Sequence, residues 1–583
     1  MKLIQKIRDR MAKAADALGY SALDVAASVR PCNDPTHGHY QANAAMALGK
    51  KLGRPPREIA SELAASVPLD GFLAAPEIAG PGFLNLCLTD QAIATGLEEM
   101  AASPCLGLEA PSPKRKLVID FSGPNVAKPM HVGHLRSTIL GDGLARLFRT
   151  LGHEVITVNH LGDWGAQFGI LLYGYKNLLN REAFNADPVK ELSRLYVEVR
   201  KHFAADDEDE ADSVDPVRDA CRLETAKLHR LDPENLELWK QFIPSCLEEI
   251  SKAYNRLGVS FDHIRGESFY QPYLADVAAQ LESLKIAEPS QGALVVLFGE
   301  KEAPALIRKR DGAYTYATTD LAAVKHRADH FQPTDIVYVV DSRQAQHFKQ
   351  VFEIAKRWGI TGPKLHHVAF GSVLGPDGKP IKTRDGKAST TLEGLLDEAV
   401  KLAAKLNAPE ANDSAELAVP VLESEEVASA VGIGAVKYAD LSQNRTTDYK
   451  FNWDKMMAMD GNTATYMQYA FARCRSILRK AGQLEGSPEA KIKVETPEER
   501  FLGVMLLRYA EVLEAAAEDF RPNILTAYLW DLAKAFSVFF QNCPVLKAQE
   551  EGALHSRIAL CALTSKVLKA VLEVLGIRVL ERM

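Results

Sequence analysis

The sequence predicts a multidomain protein: a small α+β domain, an α/β domain built on a parallel sheet with a helical insertion, and an all-α C-terminal part. Three observations carry this. The chain has 583 residues, several times the roughly 150 of one domain. From Lys116 an apolar strand (KLVIDF), a Gly/Pro/Asn-rich turn, a helix (HLRSTILGDGLARLFRTLG) and a second strand (HEVITVNH) follow one another, which is a βαβ unit. Beyond a polar Ala/Pro/Glu stretch at about 405–425, apolar residues recur at three and four spacing, the mark of packed helices.

Taken in order, residues 1–109 read as the α+β domain. It has an amphipathic helix at its start, a second in PREIASELAASV and a short strand in GFLNLCL after the turn residues GPG. ASPCLGLEAPSPKRK is a linker. The α/β domain spans 110–405, with an insertion at about 176–290 that turns helical and carries the acidic run AADDEDEADSVD, read as a solvated loop. GALVVLF and DIVYVVD are expected to resume the parallel sheet. Residues 426–583 form the helical domain, and no internal repeat is evident.

Composition narrows the function classes. With 47% hydrophobic and 25% charged residues the chain is an ordinary globular protein. No apolar run approaches the roughly 20 residues that span a bilayer, and the N-terminus lacks a signal-peptide core, so a cytoplasmic protein without a membrane partner is expected. The eight cysteines form no CxxC pair, which argues against a disulfide framework and against structural zinc. A net charge of -7 gives no global nucleic-acid signature, although residues 434–583 are slightly basic.

The richest stretch is IDFSGPNVAKPMHVGHLRST, Ile119–Thr138. His131 and His134 could share a helix face as a metal pair. No third ligand stands at metal-binding spacing, however, and Gly133 lies between them at a strand-to-helix turn. Such a turn leaves N–H groups and a helix dipole facing an anion, so two imidazoles there suit a triphosphate better than zinc.

HVGH resembles the HIGH signature of class I aminoacyl-tRNA synthetases. The surrounding residues, with NHLGDWGAQFG, YATTDLAA, YVVDSRQAQHF, GKPIKTRDG, GNTATYMQYAFAR and the closing VLGIRVLERM, are similar to arginyl-tRNA synthetases in particular, from about residue 30 to Met583. Three departures stand out: IKTRDGK occupies the place of the KMSKS loop, GNTAT replaces GNTAP, and Asp120 stands where many members have Glu. The resemblance implies a Rossmann-type catalytic domain with a signature loop at 371–390. It implies ATP, with Mg2+, and L-arginine as substrates, tRNA(Arg) as partner, a monomer, and activation that depends on bound tRNA.

It also implies residue roles. Lys128, His131, Gly133, His134, Lys382, Thr383 and Arg384 would serve catalysis and ATP binding. Asp120, Ser122, Asn125, Tyr316, Asp320 and Gln344 would bind arginine, whose guanidinium calls for carboxylate acceptors; Tyr316 and Asp320, four apart, share a helix face. Tyr466, Tyr469 and Arg473 would meet the anticodon loop with Phe540 and Met583, although their spacing taken alone is that of a core stripe. Phe83 and Asn85 would meet the tRNA D-loop. Competing readings are a class I synthetase for another amino acid, a non-catalytic RNA-binding relative, and a small-molecule adenylyltransferase.

Overall fold

The computed structural model describes residues 3–32, 37–126, 130–203, 215–299, 302–375, 378, 391–406, 425–482 and 491–583. These fall into two compact units, one made of 1–110, 406–438 and 455–583, the other of 111–405 and 439–454. Lys128, Lys382, Thr383, Arg384 and most of the acidic run lie outside the described residues.

The second unit is built on five parallel strands: β1 (Lys116–Asp120), β2 (Glu154–Asn159), β3 (His263–Ile264), β4 (Asp335–Tyr338) and β5 (Lys364–His367). Their spatial order is β5-β4-β1-β2-β3. Read from the β3 edge this is 3-2-1-4-5, the doubly wound order in which the direction of strand addition reverses between β1 and β4. Loops leaving the carboxyl ends of those two strands diverge and open a crevice. Val118, Ile336, Val337 and Val158 are fully or almost fully buried, as expected of strands covered on both faces.

The helix after β1, α1 (Val132–Thr150), packs tightly onto that strand's exit. A Cβ at Gly141 would lie 2.1 Å from Cγ of Phe121, so only glycine fits there without moving the ring. Between β2 and β3 the chain is helical, and its helix starts are legible in the sequence. Asp187-Pro188, Asp215-Pro216 and Asp232-Pro233 each place a capping carboxylate before a proline in the first turn. The aspartates accept from free N–H groups, and proline's missing N–H costs nothing there.

One expected strand pairing differs. DIVYVVD enters the parallel sheet as β4, but GALVVLF does not. Its residues Ala293–Val296 sit at the centre of a separate antiparallel sheet, between Glu288–Ser290 and Ala305–Arg308. The cause is local: Gln291 and Gly292, at φ 50° and 83°, make a two-residue hairpin turn that folds the strand back on its predecessor. Residues 439–454 also join this unit, through Tyr449–Lys450 pairing in parallel with Val373–Leu374.

In the first unit, the N-terminal strands Val29–Pro31, Tyr40–Ala42, Phe83–Leu86 and Glu77–Ala79 form an antiparallel sheet. Helices of this α+β part pack on the C-terminal helices, where Arg500 makes a two-pronged bond to Asp90 (2.6 and 2.8 Å) and the Tyr40 hydroxyl donates to Glu511 (2.9 Å). The C-terminal helices include α4 (Ala464–Lys480) and long helices over Asn523–Asn542 and Glu551–Val574.

Gly141→Ala should destabilise the protein. Alanine gains about 1 kcal/mol of helix propensity, but displacing the buried Phe121 ring costs about 1–3 kcal/mol or more. A lowered melting temperature is the expected result; a variant as stable as its parent would mean that Phe121 repacks freely.

Candidate active site

The crevice between β1 and β4 opens into a cavity of about 880 Å3 lined by Asp120, His131, His134, Glu267, Asp320 and Gln344, among others. One end is the start of α1. His131 is its N-cap, with extended backbone, and its Nδ1 accepts from the Gly133 N–H at 3.0 Å, while Nδ1 of His134 accepts from the His131 N–H at 3.2 Å. This is a capping box made of imidazoles. Because both Nδ1 atoms accept, the neutral rings carry their hydrogens on Nε2. The rings stack at 3.9 Å between centroids. Gly133 is required for this, since a Cβ there would lie 2.8 Å from the His131 ring.

The turn before α1 is held from behind. Ser122 has a left-handed backbone (φ 75°), and its N–H donates to Ser137 Oγ at 2.9 Å. Its hydroxyl bonds Thr138 (2.7 Å) and Tyr254 (2.8 Å). Ser122 thus lines the cavity while its hydroxyl serves the wall. Asn125 fits against Gly162, where a Cβ would meet its Oδ1 at 2.2 Å.

Buried Arg136 ties α1 to the segments around it. Its guanidinium donates to the carbonyls of Gly371 (2.7 Å) and Thr447 (2.8 Å) and lies 3.5 Å from Asp440. Thr391 bridges to His131, and Leu392 N–H donates to Met130. Both flanks of the expected signature loop therefore meet the first turns of α1.

Acids also line the cavity. Asp120, at the tip of β1, is paired at 2.7 Å with Arg327, which is fully buried. Asp320 and Tyr316 occupy one face at the start of α3 (Tyr316–Phe331), as their spacing predicts, and Tyr316 is 65% exposed. Asp320 is bonded to His347 at 2.5 Å. Glu267 opens a one-turn helix, α2 (Glu267–Tyr270), whose Ser268 donates from N–H and hydroxyl to Asp163 at 2.8 and 2.6 Å. Burial, then the charges of Asp163 and Asp320, push the Glu267 carboxyl up to about 8. Burial likewise raises Asp163.

A family profile described as the class I (R) tRNA synthetase catalytic domain matches residues 101–453. A second, the DALR anticodon binding domain, matches 467–583, and a third, the arginyl tRNA synthetase N terminal domain, matches 1–88. The chain is 41% identical to an arginine–tRNA ligase of Rhodopirellula baltica and 41% identical to that of Cronobacter sakazakii, each match covering 100% of both chains. The chain belongs to the arginyl-tRNA synthetase family.

Solved arginyl-tRNA synthetases share its fold. The Plasmodium falciparum structure superposes with a TM-score of 0.81 at 27% identity, and the Thermus thermophilus structure with 0.79 at 24%, each over 100% of both chains. In this arginyl-tRNA synthetase fold, sequence reasoning missed Glu267 and His160, which also line the cavity. A signal existed for both: each closely follows the carboxyl end of a parallel strand, where doubly wound sheets bind ligands.

The residues tied by resemblance to tRNA lie in the first unit and divide by exposure. Tyr466, Tyr469 and Arg473 form one half-exposed stripe of α4, whose other positions Met467, Gln468, Phe471 and Cys474 are buried. Arg473 lies over the ring of Phe540 at 4.3 Å, and Tyr466 meets Trp530 edge-on at 5.4 Å. The stripe is therefore not the core-facing one. Phe83 is half-buried, but Asn85 is buried and accepts from Gln41 at 2.8 Å, and Met583 is only 6% exposed. Backbone pairing and helix packing enclose those last two.

Arg327→Met should cost about 3–5 kcal/mol, because Asp120 is left as a buried charge without its counter-ion. The double change Asp120→Asn with Arg327→Met should recover most of that loss in a denaturant titration. Equal destabilisation of single and double variants would show that Arg327 matters through packing alone.

Proposed function

We propose that the chain is an arginine–tRNA ligase that joins L-arginine to ATP in this cavity and then passes it to tRNA(Arg). The observation that carries the reading is the cavity's lining: the helix N-terminus with its two imidazoles and the acids Glu267 and Asp320 share one cavity. An anionic triphosphate is drawn to the former and a cationic side chain to the latter, which leaves the arginine carboxylate and the α-phosphate to meet between them.

The steps follow. A carboxylate oxygen attacks the α-phosphorus, the bond to the bridging oxygen breaks, and pyrophosphate leaves with its electron pair. A ribose hydroxyl of the 3'-terminal adenosine then attacks the carbonyl carbon of the adenylate, loses its proton and expels AMP. His131 and His134 donate to the phosphates; Gly133 lets their rings stack. Lys128, Lys382, Thr383 and Arg384 supply further phosphate contacts. Among the described residues no cluster of three or more His, Cys, Asp or Glu is placed to hold a metal. Mg2+, which the resemblance implies, would come with the phosphates of ATP and neutralise charge there.

Recognition of arginine divides between the acids. The Asp120 charge is already matched by Arg327, so Glu267 and Asp320, beside the Tyr316 ring, take the guanidinium. Asp120, with Asn125 and Gln344, faces the α-ammonium end, and Ser122 shapes the wall. For tRNA, Tyr466, Tyr469, Arg473 and Phe540 suit stacking on unpaired anticodon bases. Phe83 offers a partly exposed ring to the D-loop, while buried Asn85 and Met583 support the surfaces around them. Residues 1–109, 110–405 and 426–583 then serve D-loop binding, catalysis and anticodon binding, with activation dependent on bound tRNA. No described helix is long and apolar enough to cross a membrane; the reading takes the enzyme to be a cytoplasmic monomer, as the resemblance implies.

ATP–pyrophosphate exchange with each amino acid, with and without tRNA, tests the reading: only arginine with tRNA should support it. His134→Ala should slow activation about 10²-fold or more, as loss of a preorganised donor does. Exchange with another amino acid, or an unimpaired variant, would refute the assignment.

Glu267 makes a pH prediction. With its carboxyl raised to about 8 from the usual 4.5, the empty folded protein holds a proton that the unfolded chain has lost, so this group's stabilisation fades as pH climbs through that window. A bound guanidinium favours the carboxylate. Arginine binding at pH 7 should therefore release close to one proton, read by calorimetry in buffers of different ionisation enthalpy. Glu267→Gln should abolish the release, and an unchanged release would place the proton elsewhere.

A further inference from the structure

Beside the cavity, on the same carboxyl edge of the sheet, lies a surface that the proposed roles leave unused. The edge strand β3 ends at Ile264, and the next residue, Arg265, donates its N–H to Asn159 at the tip of β2. Its guanidinium sits over the rings of Phe269 (4.8 Å) and Phe331 (5.2 Å) and 3.2 Å from the ring of His326. His326 in turn stacks on exposed His330 at 4.0 Å. Among the described residues Arg265 has no carboxylate partner. Its acidic neighbours in sequence and space are already engaged, Asp262 with Arg149 and Asp329 with Lys325.

Around this cation three large side chains face solvent: Ile264, Phe269 and Tyr273 are 52%, 37% and 43% exposed. Aromatic rings at such exposure, gathered about a guanidinium that lacks an acid, are stacking platforms with a charge for phosphate. Ring contacts lead from the platform to the cavity wall through buried Tyr270. Cavity-lining His160 stacks on Tyr270 at 5.3 Å, and Tyr270 meets Phe269 at 5.1 Å. His326 is pushed down to about 4 by burial and then by the His330 and Arg265 charges, so at neutral pH its ring is an uncharged neighbour of the guanidinium. Exposed Asp276, one turn beyond Tyr273, disfavours a purely electrostatic trap for phosphates and leaves stacking as the main attraction.

We propose that Arg265, Phe269 and Tyr273 form the platform on which the unpaired 3'-terminal nucleotides of tRNA stack as they enter the cavity. This rests on the arginine–tRNA ligase reading, which requires the terminal ribose to reach the cavity. Unpaired bases offer π-faces to the rings, and a single strand has the flexibility to turn from this edge into the crevice.

The test is a binding cycle that crosses two protein forms, parent and Phe269→Ala/Tyr273→Ala, with two transcripts, intact tRNA(Arg) and the same tRNA lacking its unpaired 3' nucleotides. The variant should bind intact tRNA roughly 5- to 150-fold more weakly, the range of a single lost base stack, or more where two are lost. It should bind the truncated tRNA as the parent does. Phe269→Trp with Tyr273→Phe, which keeps the rings, should restore binding of intact tRNA. Equal losses on both transcripts would place the contact elsewhere on the tRNA, and no loss on either would mean that the surface does not meet RNA; both results overturn the proposal. Because the cycle reads binding and not turnover, a parent that binds tRNA without charging it refutes the ligase reading while the cycle still decides the surface. A parent that binds no tRNA overturns both.

Discussion

The cavity depends on one buried charge pair. Asp120 ends β1 at the point where the sheet's connections reverse, and the partner that holds its carboxylate there is Arg327, drawn from the middle of α3. Arg327 also lies over the ring of Tyr338, which ends β4. One guanidinium thus joins the tips of both strands that flank the crevice to the helix that carries Tyr316 and Asp320. Removing a charge from water is costly, so such a pair is tolerated where its geometry is needed more than its energy. Here it fixes one acid in the cavity wall with its charge already matched.

The start of α1 shows a second economy. Helix N-termini leave four N–H groups without partners, commonly met by Ser, Thr or Asp. Two histidines meet that need here. In the proposed function the same two rings would cap the helix and bind phosphate, so the helix start would be rigid where the ligand needs it. Arg136 extends that rigidity to Gly371, Thr447 and Asp440, which come from two distant parts of the chain.

Much of this was legible in the sequence, for reasons that can be named. The βαβ unit and the Tyr316–Asp320 face are set by local chemistry and by periods of two or 3.6 residues, whereas the spacing of the α4 stripe taken alone reads as core. What could not be read depended on partners far along the chain. Arg327 lies more than 200 residues from Asp120, and nothing local marks it as a counter-ion rather than a surface base. The same holds for Glu267, whose neighbour Asp163 is about a hundred residues away. GALVVLF was misplaced because an apolar run does not disclose its sheet; the Gln291-Gly292 turn did, once its backbone was seen. Asn85 and Met583 were tied to tRNA by resemblance alone, and their burial is not legible because that of a strand centre or a chain end is decided by what packs over it.

The chain's path between its two units has a consequence for how the protein is made. The boundary is crossed near residues 110, 405, 438 and 454, so the first unit is assembled from both ends of the sequence. Asp90 waits for Arg500, and Tyr40 for Glu511, 410 and 471 residues later. At roughly 5–20 residues per second of translation, the nascent N-terminal part spends on the order of 20–80 s on the ribosome before its partners emerge. During that interval surfaces that end up buried face water, and the last helices to leave the ribosome are the ones that close the fold begun by the first.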